Sequence, residues 1–256
     1  AMTDWAWRIP FLSSFVLVAI GLYVRLKLTE APIFIATLNK PKPKTLPMME
    51  VIVTHFKPFF LGMLICLAGY VLFYIMIAFS QIYAKSAPTV SEAGYAMGLG
   101  FSPQIFTALL MCSAISLAIT IAISGKYIDI VGRRIWLIWT TFGVAIFGLA
   151  LPYFLDNGTT TSLFWFLMIG MGLIGMGYGP LASFLPELFP THARYSGASL
   201  TYNIAGLFGA SVAAIIALPL NANYGLKGVG IYLTLNAVLS LIGLWFITET
   251  RDRQLL

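Results

Sequence analysis

Two short clusters carry the charged residues whose types and spacing could do chemistry, and both are suited to electrostatic positioning rather than bond-making. The first is Gly125-Lys126-Tyr127-Ile128-Asp129-Ile130-Val131-Gly132-Arg133-Arg134, read as a tight basic turn. Gly132 permits a φ that other residues resist, and Asp129 can accept from a neighbouring helix N-terminus or pair with an arginine. The second is Pro186-Glu187-Leu188-Phe189-Pro190-Thr191-His192-Ala193-Arg194-Tyr195-Ser196-Gly197. Here Pro186 and Pro190 should interrupt a helix, Thr191 is suited to cap the next one, and Glu187 and Arg194 are placed to pair. The 2 histidines, His55 and His192, are flanked by surface charge and are expected to be solvated rather than to act as ligands. The 2 cysteines, Cys66 and Cys112, lie in apolar stretches with no histidine nearby, so no zinc site is expected. No cofactor is implied, and an enzyme is not.

The elements that hold these clusters are set by composition. The chain has 256 residues, 59% hydrophobic and 9% charged, with a mean hydropathy of +0.90. A soluble protein carries about 25% charged residues, so this chain belongs in a bilayer. An unpaired charge in hydrocarbon is costly, so each long charge-free run is a candidate span. The runs place seven helices near 9–24, 59–82, 104–123, 135–155, 163–184, 199–220 and 229–247. Between the first two lies a stretch, 29–57, with Pro32, Pro41, Pro43 and Pro47 among lysines, which no apolar face is expected to stabilise. Of the 15 lysines and arginines, only Arg8, Lys85 and Lys227 fall on one side. By the positive-inside tendency the other side is cytoplasmic, with the 29–57 loop and the C-terminus. The basic total therefore marks orientation, and nucleic acid is not an expected partner.

A path for solute needs polar groups near the midplane. Tyr70 and Tyr74 lie four apart on one face of the second span, Tyr178 sits in the fifth, and Tyr202 and Asn203 in the sixth. An asparagine there should find its partner across the bundle or in a cavity. Gln81 is placed to close the outer end. All 9 acids fall in tails, loops or helix edges, so a proton-coupling group is expected in the missing half or not at all, and with no mid-span arginine an anionic cargo would need cationic partners from that other half.

The G-x-x-x-D-x-x-G-R-R pattern of Gly125, Asp129, Gly132, Arg133 and Arg134 resembles the signature loop of the major facilitator superfamily. P-E-x-F-P-T-x-x-R-Y-S-G, with Glu187 and Arg194, resembles the loop between helices ten and eleven of its metabolite:proton symporters, with His192 departing at an unspecific position. Trp7-Arg8-Ile9-Pro10-Phe11 and Leu28-Thr29-Glu30-Ala31-Pro32-Ile33-Phe34 resemble the ends of helix six, and Glu249-Thr250-Arg251 the end of helix twelve. The matches run in family order along the chain. The resemblance implies an all-α polytopic bundle: helix six (1–28), a cytoplasmic central loop (29–57) and a C-terminal six-helix half with a short tail (58–256). It implies a secondary transporter that takes a small polar metabolite with protons across the bacterial inner membrane, working with an N-terminal half of the same carrier. That group includes shikimate, α-ketoglutarate, citrate and proline/betaine carriers, so an organic acid or osmolyte is the expected cargo. Five further spans before Ala1 would make twelve.

Two alternatives stay open: a seven-helix sensor or receptor, and a half-size transporter acting as a homodimer. An integral-membrane enzyme should show a histidine or acidic cluster near one face, and none is visible. Gly170-Met171-Gly172-Leu173-Ile174-Gly175 spells a dinucleotide fingerprint, but no strand precedes it and no acid follows at the required distance. With Gly177 and Gly179 it reads as a small-residue packing face. The sequon Asn157-Gly158-Thr159 is discounted.

Overall fold

A computed structural model describes Trp5, residues 8–27 and residues 47–249. Calls on 28–46 and on the C-terminal tail from Thr250 lie outside the described residues. The chain divides into two units, 1–43 and 44–256. The first contains α1 (Arg8–Lys27), a 20-residue helix ending in Arg25 and Lys27. The second contains α2 (Pro47–Thr54), α3 (Phe56–Tyr74), α4 (Ser80–Lys85), α5 (Pro103–Val131), α6 (Arg133–Leu155), α7 (Thr160–Glu187), α8 (Arg194–Gly206) and α9 (Val212–Phe246). One-turn π segments, Ile75–Phe79 and Leu207–Ser211, join α3 to α4 and α8 to α9. Among the described residues the extended pairing is a single bridge, Val90 to Ala96.

Five described helical runs are long and apolar enough to cross a membrane, the last being Arg194–Phe246 with 53 residues. At 1.5 Å per residue that run would measure about 80 Å, far more than one ~30 Å hydrocarbon core. It is two passes joined at Gly225, whose φ of 67° and ψ of −169° break the helix. Only glycine fits there, since a Cβ would sit 2.6 Å from the Tyr95 ring. Six passes thus form the second unit, as the charge-free runs predict, and α1 covers the first run, 9–24.

The alternation of ends follows from contacts. At one end Ser91 Oγ donates to Ala222 O (2.7 Å), and the buried Asn221 donates to Ala96 O (3.0 Å). Asp156 closes α6 on that side, where burial pushes its carboxyl up and the Lys227 charge opposes the rise. Thr159 caps α7, accepting from Ser162 N (3.2 Å). At the opposite end the chain departs from two expectations. The basic motif is helix rather than turn up to Val131, and only Gly132 leaves it, at φ 101°. α7 passes through Pro180 and Pro186 to Glu187, and the N-cap of α8 is Ala193, not Thr191. A third departure is α2, inside the stretch expected to lack a core element: Val51 is fully buried among Leu185, Leu188 and Phe189.

Hydrocarbon offers no hydrophobic drive between helices, so close backbone approach and hydrogen bonds do the packing. The glycine face of α7 meets α5: a Cβ on Gly175 would strike Thr120 and lie 2.6 Å from Leu117 O, and one on Gly179 would strike Ser124. Gly148 of α6 and Gly230 of α9 touch backbone to backbone, and Thr234 Oγ1 donates across to Ala145 O (3.0 Å). Ser116 Oγ donates to Met168 O (2.9 Å) and Trp136 Nε1 to Met176 O (2.9 Å).

Glu249 closes the far end of α9 onto the start of α6. Its carboxylate accepts from Arg133 N (3.2 Å) and Arg134 N (3.0 Å), taking the exposed donors at a positive helix terminus. Arg134 returns the contact, Nε donating to Leu244 O (2.8 Å) and a terminal nitrogen to Trp245 O (3.1 Å). Gly132 keeps space for it, since a Cβ would lie 3.0 Å from Glu249 Oε2.

Gly175→Val should destabilise the purified chain by about 1–3 kcal/mol through overpacking. Gly69→Ala, where an added methyl meets nothing within 4 Å, should leave the unfolding midpoint in place; equal midpoints for the two would contradict the packing account. Glu249→Ala should cost about 1–2 kcal/mol as a lost cap, measured in the same unfolding assay, and an unchanged midpoint would count against the cap.

Candidate functional site

A cavity of about 270 Å³ opens between α3, α5, α6, α7 and α8. Its polar groups are Tyr70, Tyr178 and Tyr202 with Thr140 and Thr141; the rest is apolar, with Phe73 and Cys66 in the wall. The rings of Tyr70 and Tyr202 stand 4.9 Å apart at 45°. Tyr178 lines the same cavity from α7, and no charged side chain stands among the described residues of the wall. Three helices therefore bring three phenols to one place, and Tyr178, 55% exposed, stands at the mouth. Thr140 spends its hydroxyl on Trp136 O (3.0 Å) within its own helix. A space of this size, mainly apolar with a few convergent polar groups, suits a small molecule.

The helices around Tyr70 are irregular. Ser240 of α9 inserts its hydroxyl into the α3 ladder, accepting from Ala68 N (3.0 Å) and donating to Leu64 O (2.7 Å). The π segment Ile75–Phe79 follows seven residues later in chain terms, so the stretch holding Tyr70 lies between two interruptions. Facing it is the second π segment: a Cβ on Gly209 would lie 2.6 Å from Tyr70 Cβ, and one on Gly206 would meet its ring at 3.0 Å.

Two of the expected contact residues are placed elsewhere. Tyr74 turns to the α9 backbone, donating to Ala214 O (3.3 Å). Asn203 is exposed and satisfies itself on its own helix, donating to Ser199 O (2.7 Å), because the carbonyl four residues back is in reach of a short amide. Gln81 is exposed on α4. Thr140, Thr141 and Cys66 were missed; nothing in their spacing separates a cavity wall from packed core.

The charged motifs meet at one end of the bundle. Arg133, 18% exposed, forms an ion pair with Glu187, 14% exposed, and a longer one with Asp129 at 3.4 Å. The end of α5, the start of α6 and the end of α7 are joined through one guanidinium. Glu187 thus takes Arg133 as a partner from the other motif, where the sequence pattern placed it with Arg194. Asp129 has the arginine role of its two options, and the helix-terminus role falls to Glu249, 116 residues from Arg133. Gly125 lies within α5 with open space beside it. His192 is not simply solvated: its Nε2 lies 2.7 Å from Glu50 Oε1.

Residues 1–214 match the family model of the Major Facilitator Superfamily. The chain is 89% identical over 255 residues to a Haemophilus influenzae protein whose name provisionally makes it a metabolite transport protein, covering 100% of this chain and 57% of that one. It is 40% identical to the inner membrane metabolite transport protein YhjE of Escherichia coli, over 98% of this chain and 56% of the relative. It is 28% identical to the ectoine/proline transporter ProP of Corynebacterium glutamicum, over 100% of this chain and 51% of the relative. The chain spans just over half the length of these relatives. No solved structure is significantly similar to it. With a polytopic helix bundle, two charged end motifs and this match, the chain belongs to the Major Facilitator Superfamily, a family of membrane transporters and not of enzymes.

Proposed function

We propose that the chain forms the C-terminal part of a twelve-helix secondary transporter that carries a small polar metabolite across the bacterial inner membrane with protons, by rocking of two helix bundles. The observation that carries this is the cavity where Tyr70, Tyr178 and Tyr202 converge, with the ionic contacts of Arg133, Asp129 and Glu187 at one end. The end carrying Arg133 and Arg134 is the cytoplasmic one, with the C-terminus on that side, a reading supported by Lys57, Lys126, Arg133, Arg134 and Arg194 at that end of the second unit against Lys85 and Lys227 at the other.

Of the two cargo classes, an osmolyte of the betaine type suits the cavity better than an organic acid. Phenol faces attract a quaternary or secondary ammonium, and the cavity wall supplies no cation for a lone carboxylate. A proline/betaine transporter of Escherichia coli is 26% identical over 98% of the chain. No aspartate or glutamate lines the cavity, so the N-terminal half supplies the proton-carrying group. The chain alone is not expected to perform coupled transport.

The test is uptake in cells without osmolyte carriers, producing the chain together with the N-terminal part of the Haemophilus influenzae relative. Radiolabelled glycine betaine should accumulate, and accumulation should fall when the proton gradient is collapsed. Tyr70→Ala and Tyr202→Ala should each lower uptake about tenfold at equal membrane abundance, the scale of one desolvated cation–aromatic contact, while Asn203→Ala should not. Uptake of α-ketoglutarate instead would reverse the cargo assignment, and indifference to both tyrosine substitutions would remove the cavity from the path.

A further inference from the structure

α2 and the segment between α7 and α8 meet at one end of the bundle, and three metal-ligating side chains meet there with them. Glu50 lies on α2, His55 at the bend between α2 and α3, and His192 in the segment before α8. One candidate ligand atom from each lies within 4.8 Å of the other two. Glu50 Oε1 is 2.7 Å from His192 Nε2. The second oxygen, Oε2, is shut away from solvent with no hydrogen-bond partner among the described residues. Glu50 is 16% exposed by side chain, whereas His192 is 47% exposed, so the cluster has a closed carboxylate side and an open imidazole side.

We infer that Glu50, His55 and His192 form a binding site for a divalent transition-metal ion of the Zn²⁺ class. Two imidazole nitrogens and a carboxylate oxygen are a donor set such ions take, with water completing four-coordination on the open side. Metal–ligand bonds of about 2.0–2.1 Å set tetrahedral ligand atoms roughly 3.3 Å apart. The candidate atoms, now within 4.8 Å of one another, must draw together to reach that. A plain His192–Glu50 hydrogen bond leaves Glu50 Oε2 and the His55 ring without a role, and a cation engages all three side chains. Hydrocarbon packing already fixes the backbone on both sides: Val51, Leu188 and Phe189 are buried in one cluster. The bound ion staples α2 to the segment that follows Glu187, and so bears directly on the end of the bundle where Arg133 sits.

The site is tested on the purified 256-residue chain, produced without a polyhistidine tag and carrying Cys112→Ser, since that thiol is exposed. Co²⁺ is the spectroscopic probe and Zn²⁺ the competitor. The expected result is one Co²⁺ per chain with the visible bands of a low-coordinate site, displaced by Zn²⁺, and a Zn²⁺-dependent rise in the unfolding midpoint. His55→Gln, His192→Gln and Glu50→Gln should each weaken binding tenfold or more, on the scale by which metal sites lose affinity when their shell is disturbed, and should abolish the Zn²⁺-dependent rise. His192→Gln keeps a donor for Glu50, and His55→Gln leaves the Glu50–His192 contact intact, so metal-free midpoints near that of the parent separate lost ligation from lost folding. Absence of stoichiometric binding, or binding equal in the parent and all three variants, would overturn the inference.

Discussion

An ionised group cannot stay in hydrocarbon without a partner, and that constraint orders everything else in the bundle. Among the described residues the acids and bases gather at the ends of the helices, where Arg133 joins Asp129 and Glu187 and Glu249 takes the first amides of α6. The ends of α5, α7 and α9 and the start of α6 are thereby connected at a single place. Because charge is committed there, the cavity in the interior is left with phenols, hydroxyls and a thiol. Its neutrality is a consequence of the same rule that folds the chain.

Packing in the interior divides into tight and yielding regions. The α5–α7 and α6–α9 crossings run through glycines with no room for a methyl group. Around Tyr70 the helices are looser in a different sense: the Ser240 insertion and the π segment on one side, and the Leu207–Ser211 segment on the other, interrupt regular hydrogen bonding beside the cavity. Interrupted ladders beside rigid crossings are an arrangement in which a cavity wall can shift while the bundle stays intact.

The spans were legible because charge cost is local and additive along the chain: runs free of charge became helices, and Gly225 falls in the gap between the last two. The glycine face of α7 was legible for the same reason, since small residues at helical spacing leave one physical option. What escaped was long-range or hidden in poor local signal. α2 carries one fully buried residue, Val51, inside a proline- and lysine-rich stretch, so no periodicity announces it. Glu249 and Arg133 are adjacent only once α6 and α9 pack. The expectation for Asn203 failed because it counted partners across the bundle and overlooked the carbonyl one turn back. The convergence of Tyr70, Tyr178 and Tyr202 needed three helices in place, although each tyrosine was visible as a polar group in an apolar run.

The most direct test of the account is a double-mutant cycle on Arg133→Gln and Glu187→Gln, read from the unfolding free energy of the purified chain. If this pair ties the end of α7 to the start of α6, the two substitutions should be non-additive, with a coupling of about 1 kcal/mol or more. Strict additivity would mean that the helix ends are held by packing alone and that the ionic contact organises nothing.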